Sequence, residues 1–243
     1  MTTRLAFISD IHGNEEALKA VLEDISKRSI DFQHVYALGD IVGYGPKPNE
    51  AIALLQRHGI RSVLGNYDEA VGFFLPTCGC HITSKEDQAR VQNALNWTAR
   101  YTTESNKAFL RELEEQIILE IEGWRILLNH ASPFSINDYV YEKDEEKQEE
   151  IALEIEEDMI VHGHTHYPYY KQVKGKWFIN PGSVGRPKDG DPRACYCIVG
   201  LEQQPTVEFV RVLYDVEKVA KEIEASELLD VFAQILRQGK DIK

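Results

Sequence analysis

Residues 4–14 read RLAFISDIHGN. Leu5-Ala6-Phe7-Ile8 is an apolar run of strand length, and it stops at Ser9-Asp10-Ile11-His12-Gly13, where polar and turn-forming residues take over. From Asn14 the periodicity changes. Ala17, Leu18, Val21, Leu22 and Ile25 recur at three- and four-residue intervals, so a helix is predicted over 14–27 with Asn14 as its cap. A buried strand that ends in Asp-x-His and turns at once into an amphipathic helix is a unit of a layered α/β fold. It carries its chemistry-bearing groups at the strand's carboxyl end.

The same grammar extends outward. Strands are expected at His34–Leu38 and Arg61–Leu64 with a helix at Pro48–His58 between them, and helices at Glu86–Tyr101 and Glu104–Glu115. The second half is richer in strands: Ile117–Ile121 and Trp124–Asn129 flank a Glu122-Gly123 turn, followed by Met159–His162, Tyr169–Val173, Trp177–Asn180, Ala194–Gly200 and Thr206–Val212. Helices at Val216–Ala225 and Glu227–Arg237 complete the pattern. No Pro/Gly/Ser-rich linker and no repeat interrupts it, so residues 1–243 read as one domain of two sheets with helices outside.

Composition narrows the partners. The chain has 243 residues with 43% hydrophobic and 28% charged, enough for a full core, which excludes disordered and disulfide-scaffold classes. Its 27 Lys+Arg against 40 Asp+Glu leave a net charge of −13, which argues against general nucleic-acid binding. Phosphate-bearing substrates stay open, because a bound cation inverts the local field. No apolar run approaches the roughly 20 residues of a membrane span, and no export-signal pattern follows Met1, so a cytoplasmic location is expected. The paired Cys78/Cys80 and Cys195/Cys197 are then expected as free thiols. A four-cysteine zinc site is the alternative, although zinc pairs usually have about two to four intervening residues. Two segments stand apart. Gly72–Ile82 is apolar and turn-rich, an ordered loop or partner surface. Glu142–Asp158 holds ten carboxylates and two lysines, a solvated helix face or a lid.

Metal-type side chains fall where predicted strands end. They are Asp10 and His12, Gly39-Asp40, Gly65-Asn66-Tyr67-Asp68, Asn129-His130, and His162-Gly-His164-Thr-His166. Each fragment alone is compatible with a turn or a helix cap. Five of the eight histidines lie at these ends, however, and an α/β sheet gathers its strand ends on one edge. Together they point to a metal site. Neither a P-loop nor a Gly-x-Ser-x-Gly elbow occurs, so NTPase and serine-hydrolase readings lack their parts.

Asp10-x-His12, Gly39-Asp40-x-x-Gly43, Gly65-Asn66-x-Asp68, His130 and Gly163-His164-x-His166 make the chain resemble the calcineurin-like metallophosphoesterase superfamily. Asn180-Pro-Gly-Ser-Val-Gly185 is similar to its bacterial and archaeal phosphodiesterase branch, and the first motifs look like members labelled diadenosine-polyphosphate hydrolases or protein phosphatases. The resemblance implies a two-sheet β-sandwich flanked by helices, in an α/β/β/α layering. It also implies two divalent transition-metal ions (Mn, Fe, Zn or Ni). Asp10, His12 and His166 would hold the first, Asn66, His130 and His164 the second, and Asp40 would bridge them. Imidazole and carboxylate donors suit such metals, and ions about 3.5–4 Å apart can clamp a phosphoryl group and activate a bridging hydroxide. Two dications with Asp10, Asp40 and hydroxide leave one positive charge, and a neutral Asn66 preserves it.

One position departs from the family pattern. Tyr67 stands where the family commonly has a histidine that protonates the leaving oxygen, oriented by the next carboxylate, here Asp68. A phenol is a poorer acid at neutral pH. Tyr67 and Asp68 are therefore the candidate catalytic pair, with leaving groups of low pKa expected to be favoured. Asn66, His130 and Arg186 are the candidate contacts to substrate, the last through its planar fork unless it is an ordinary surface arginine. His162 alternates with His164 and is expected to face away, and Trp97 and Trp124 read as core. The expected function is hydrolysis of small phosphodiester or phosphoanhydride substrates. A serine/threonine protein phosphatase and a non-catalytic scaffold are the alternatives, the latter disfavoured because all seven ligand positions are kept.

Overall fold

Alternation along the strands sorts the apolar residues into layers. The computed structural model describes residues 2–81 and 84–242. In β1 (Arg4–Ile8), Leu5 and Phe7 enter one cluster and Ala6 and Ile8 another, all fully buried, as in a strand covered on both faces. β1 is parallel to β2 (Val35–Ala37), with Ala6 opposite Val35 and Ile8 opposite Ala37, and β2 is parallel to the short β3 (Arg61–Ser62). The second sheet is built from β4 (Gln116–Ile121), β5 (Trp124–Asn129), β6 (Met159–Val161), β7 (Tyr169–Val173) and β8 (Lys176–Asn180). Its order is β4-β5-β6-β8-β7, with β5, β6 and β8 parallel and both edges antiparallel. The chain then returns to the first sheet as β9 (Ala194–Gly200) and β10 (Thr206–Val212), giving β10-β9-β1-β2-β3.

Four layers result. On the outer face of the first sheet, Ala6 and Ile8 meet Leu18, Val21 and Ile25 of α1 (Glu15–Lys27) and Ile52 and Leu55 of α2 (Pro48–His58). Between the sheets, Leu5 and Phe7 pack with Ile126, Leu128, Met159 and Val161. On the far face, Ile160 and Phe178 pack with Ile151 and Ala152 of a helix at Glu145–Glu154. Burial of each such side chain stabilises the fold by about 1.5–3 kcal/mol. The sandwich with flanking helices expected from sequence is the observed architecture.

Boundaries differ where tertiary contacts outrank local pattern. The segment after β3 forms a seven-residue helix, α3 (Asn66–Gly72), which begins on a candidate ligand. α4 (Lys85–Tyr101) has Ser84 as its cap, and α5 (Glu104–Arg111) stops four residues short of the predicted end. The reason is that Glu114 is drawn into a bridge with Val63, its carbonyl accepting from the Leu64 N–H. Between α7 (Val216–Glu224) and α8 (Val231–Gln238), residues predicted as helix form a turn instead, with Leu229 N–H donating to Asn93 of α4. The acidic segment forms α6, the helix at Glu145–Glu154. Gln148, Ile151 and Ala152 are buried against the sheet, and Lys171 reaches Glu145 at 2.9 Å. No helix among the described residues is long and apolar enough to cross a membrane.

Candidate metal centre

The carboxyl ends of β1, β2, β5 and β6 and the start of α3 meet at one edge of the sandwich. Asp10 and His12 follow β1, Asp40 follows β2, Asn66 opens α3, His130 follows β5, and His164 and His166 follow β6. All seven are buried. Five of them, Asp10, His12, Asp40, His164 and His166, have φ between 49° and 65°. Non-glycine residues rarely enter that left-handed region, and strain of this kind is held only where surrounding contacts enforce it. Those contacts are present. His12 N–H donates to the Asp40 carbonyl at 2.8 Å and Gly163 N–H to the His130 carbonyl at 2.7 Å. Within Asn180–Gly185, Ser183 Oγ donates to the Asp10 carbonyl at 2.8 Å and Asn180 Nδ2 to the Gly163 carbonyl at 2.7 Å. This segment thus braces two ligand loops.

Three imidazoles are oriented by backbone. Nδ1 of His12, His130 and His166 donates to the carbonyls of Val42 (3.2 Å), Leu38 (2.7 Å) and Arg186 (2.6 Å). Each Nε2 is then left with a lone pair facing inward. The Nε2 atoms of His12 and His166 lie 3.2 Å apart, and His130 Nε2 lies 3.0 Å from Asn66 Oδ1 and 3.1 Å from His164 Nδ1. Burial pushes the pKa of all four histidines down, so the facing nitrogens are unprotonated. Asp40 sits between the groups, Oδ2 being 3.8 Å from His12 and Oδ1 3.6 Å from His130. Burial, with the charges of Asp68 and Asp10, pushes its carboxyl well above the usual range. Asp10 Oδ1 and His164 Nε2 are buried without a hydrogen-bond partner.

Mutually facing lone pairs, crowded carboxylates and the unpartnered Asp10 Oδ1 are resolved together by cations. Asp10/His12/His166 and Asp40/His130/His164 each bring one ligand atom per residue within 4.8 Å of the others. The residues fit a pair of divalent transition ions by donor chemistry. Among the described residues these are the two clusters that could hold a metal, so the four cysteines are not assembled into a zinc site; all four are free.

The remaining candidates take different places. Tyr67 is buried in the cavity wall. Its ring lies 4.8 Å from Tyr44 and 5.7 Å from His12, its hydroxyl makes no hydrogen bond among the described residues, and burial raises its pKa well above 10. Asp68 faces away from that hydroxyl. Its oxygens accept from the N–H groups of Ile41 (3.2 Å), Val42 (3.1 Å) and Gly65 (3.1 Å), which pins the loop after Asp40 to the start of α3. Arg186 is no surface arginine. It is buried, its guanidinium stacks on Tyr44 at 4.4 Å, and Nη2 donates to Asp241 at 2.6 Å. His162 faces away from the cluster, 2.8 Å from the Tyr169 hydroxyl.

The cluster opens into a cavity of about 280 Å³ lined by His12, Asp40, Asn66, His164 and His166, with Tyr44, Tyr67, Arg186 and Lys188 beside them. Cys80 and His81 of the Gly72–Ile82 segment also line it; Ile82 lies outside the described residues. None of Glu142–Asp158 does, which leaves that segment a solvated helix with one buried stripe. Sequence reasoning missed Lys188, Tyr139 and Asp241. Lys188 follows Arg186 by two residues and carried a weak signal. Tyr139, its ring tilted against His164 at 4.2 Å, and Asp241, near the end of the chain, carried none.

Residues 3–204 match the model of the calcineurin-like phosphoesterase superfamily domain. The chain belongs to that superfamily. Over 97% of its length it is 33% identical to an uncharacterised protein of Methanocaldococcus jannaschii, covering 98% of that protein. It is 28% identical to phosphodiesterase YfcE of Escherichia coli over 78% of this chain and 83% of that one. A crystal structure of a metallophosphoesterase from Sphaerobacter thermophilus superposes with a TM-score of 0.79 at 29% identity, covering 98% of this chain and 100% of the other. This phosphoesterase is thus a hydrolase of a metal-dependent family, with two Asp/His clusters able to bind metal.

Proposed function

We propose that this phosphoesterase hydrolyses phosphodiester or phosphoanhydride bonds in small, nucleotide-like substrates with acidic leaving groups, using two divalent ions. The observation that carries the reading is the pair of clusters meeting at Asp40 beside a cavity that also presents two cations, Arg186 and Lys188. Asp10, His12 and His166 would hold one ion and Asn66, His130 and His164 the other, with Asp40 between them within reach of both. When bound, the ions neutralise phosphate charge and lower the pKa of water toward neutrality.

The chain's own residues do the rest. The backbone carbonyls of Val42, Leu38 and Arg186 keep Nε2 of His12, His130 and His166 unprotonated. Asp68 is a positioning residue that sets the Asp40 loop through three amides. Asn66 and His130 serve this reading as metal ligands, their N–H groups being engaged by Cys78 and Cys80 and by Leu38. Arg186 and Lys188 draw the substrate in and hold an equatorial or second phosphate. Asp241 reaches Arg186 at 2.6 Å and Lys188 at 3.7 Å, so an incoming phosphate displaces it. Asp241→Asn is expected to lower KM for anionic substrates several-fold with little change in kcat, read from steady-state kinetics. Tyr67 keeps its proton and donates a hydrogen bond, not the proton, to the leaving oxygen, which favours leaving groups that depart as anions.

The test is a screen of protein loaded with Mn²⁺, Ni²⁺, Fe²⁺ or Zn²⁺ against a bis-aryl phosphate, an aryl phosphate, diadenosine polyphosphates and a serine phosphopeptide. Turnover of the diester and anhydride without the phosphopeptide is expected. Phosphopeptide hydrolysis alone would favour a protein phosphatase, against which the −13 net charge weighs. Silence with two ions bound would leave a scaffold.

A further inference from the structure

Beside the metal centre lies a thiol pair that the phosphoesterase chemistry does not use. Cys78 and Cys80 flank Gly79, whose φ of 71° suits glycine and folds the segment so that the two Sγ atoms stand 3.1 Å apart. A Cβ at Gly79 would fall 2.4 Å from Asn137 Nδ2, so the turn is also held from outside. Closing the sulfurs to a bond of about 2.05 Å takes a movement of only about 1 Å. Cys80 lines the cavity and is part-exposed, whereas Cys78 is buried. Both touch the same candidate ligand. Asn66 Nδ2 donates to the Cys78 carbonyl at 2.9 Å and to Cys80 Sγ at 3.3 Å, which fixes the amide so that Oδ1 faces His130 Nε2 at 3.0 Å. Cys195 and Cys197, in contrast, are buried within β9 and do not line the cavity.

We infer that Cys78 and Cys80 form a peroxide-oxidised, reversible disulfide that loosens Asn66 and with it the second metal position. The Cys80 sulfur attacks the peroxide, the O–O bond breaks, and the first water leaves with the Cys80 sulfenic acid formed. The Cys78 sulfur then attacks that sulfur, the S–O bond breaks, and the second water leaves. Two thiols and one hydrogen peroxide become one disulfide and two waters, the thiols giving up two electrons and two protons. In the disulfide, Cys80 Sγ is drawn toward Cys78 and the Cys78 backbone shifts, so the Asn66 amide loses the pair of acceptors that orient it. Groups that orient a metal ligand are typically worth about 10–100-fold in metal affinity. The effect on the centre rests on Asn66 being a ligand, as proposed above; formation of the disulfide does not.

The experiment treats the full-length, metal-loaded protein with stoichiometric hydrogen peroxide, then measures intact mass, free thiols and bound metal before and after dithiothreitol. Loss of about 2 Da, of two thiols and of one of two ions, with the disulfide mapped to the peptide spanning 78–80 and restored by reductant, is expected. Cys78→Ser should stop at a Cys80 sulfenic acid that is trapped by dimedone and retain both ions. Oxidation confined to Cys195 or Cys197, or products that dithiothreitol does not reverse, would overturn the thiol pair. A reversible 78–80 disulfide with undiminished metal would overturn the link to Asn66 and leave the pair itself standing.

Discussion

In the proposed reaction, substrate choice is decided at Tyr67. A buried phenol whose pKa is pushed further up by burial is a weaker general acid toward a departing alkoxide than an imidazolium is. Tyr67→His, a smaller ring in the same buried site, is expected to raise kcat/KM for an alkyl phosphate relative to an aryl phosphate by about 10-fold or more; an unchanged ratio in parallel assays would assign Tyr67 to packing alone. His162 makes a separate, non-catalytic demand. Burial pushes its pKa down to about 4 and it stays neutral beside the Tyr169 hydroxyl. The unfolded chain binds a proton near pH 6.5 that the folded chain refuses until about 4, so this residue's contribution to stability is lost as pH falls through that window, up to about 3 kcal/mol. His162→Gln should flatten that part of the pH dependence in urea unfolding, and the difference between wild type and variant is the quantity to read.

Loops at strand ends, not the strands themselves, determine whether the site forms. The loop after β2 carries Asp40 with φ of 50° and Gly43 with φ of 104°, and a Cβ at Gly43 would lie 2.6 Å from the Tyr67 ring. Gly43→Ala therefore either displaces Tyr67 or distorts the loop. It should cost about 1–3 kcal/mol of stability in urea unfolding and slow the diester reaction, while a chelator titration still finds two ions. At this scale the sequence was legible in part. Asp10, His12, Asp40, His130, His164 and His166 each follow an apolar run, so strand periodicity alone delivered them to one edge. α3 was hidden because its seven residues are too few for a helical period and its first residue, Asn66, is also a candidate ligand. Asp241 comes to Arg186 and Lys188 from 55 residues beyond Arg186, a meeting that topology makes and no local pattern announces. The nearness of Cys78 and Cys80 to Asn66 was unreadable for the same reason.

Across the whole molecule, each cluster draws on both sheets. Asp10 and His12 hang from the first sheet and His166 from the second, and Asp40 hangs from the first while His130 and His164 hang from the second. The sheets already share an apolar interior of Leu5, Phe7, Ile126, Leu128, Met159 and Val161, so ions are not needed to bring them together. At their rim, however, the buried nitrogens and carboxylates face one another across the gap between sheets, and without cations that edge is held against lone-pair and like-charge repulsion. Ions bound there act as cross-links that the unfolded chain, with its ligands dispersed, does not offer. Free metal at 100 times its dissociation constant then stabilises the fold by about 2.7 kcal/mol per site, which for a chain of this size corresponds to roughly 5–10 °C in Tm. Removal of metal by chelation is expected to lower Tm by at least that amount and to abolish turnover, and re-addition of Mn²⁺ or Zn²⁺ should restore both. His166→Ala and His164→Ala should each remove about one site's share of the metal-induced shift. An unchanged Tm on chelation, with metal content shown to fall to zero, would mean that the two sheets do not meet through the ions.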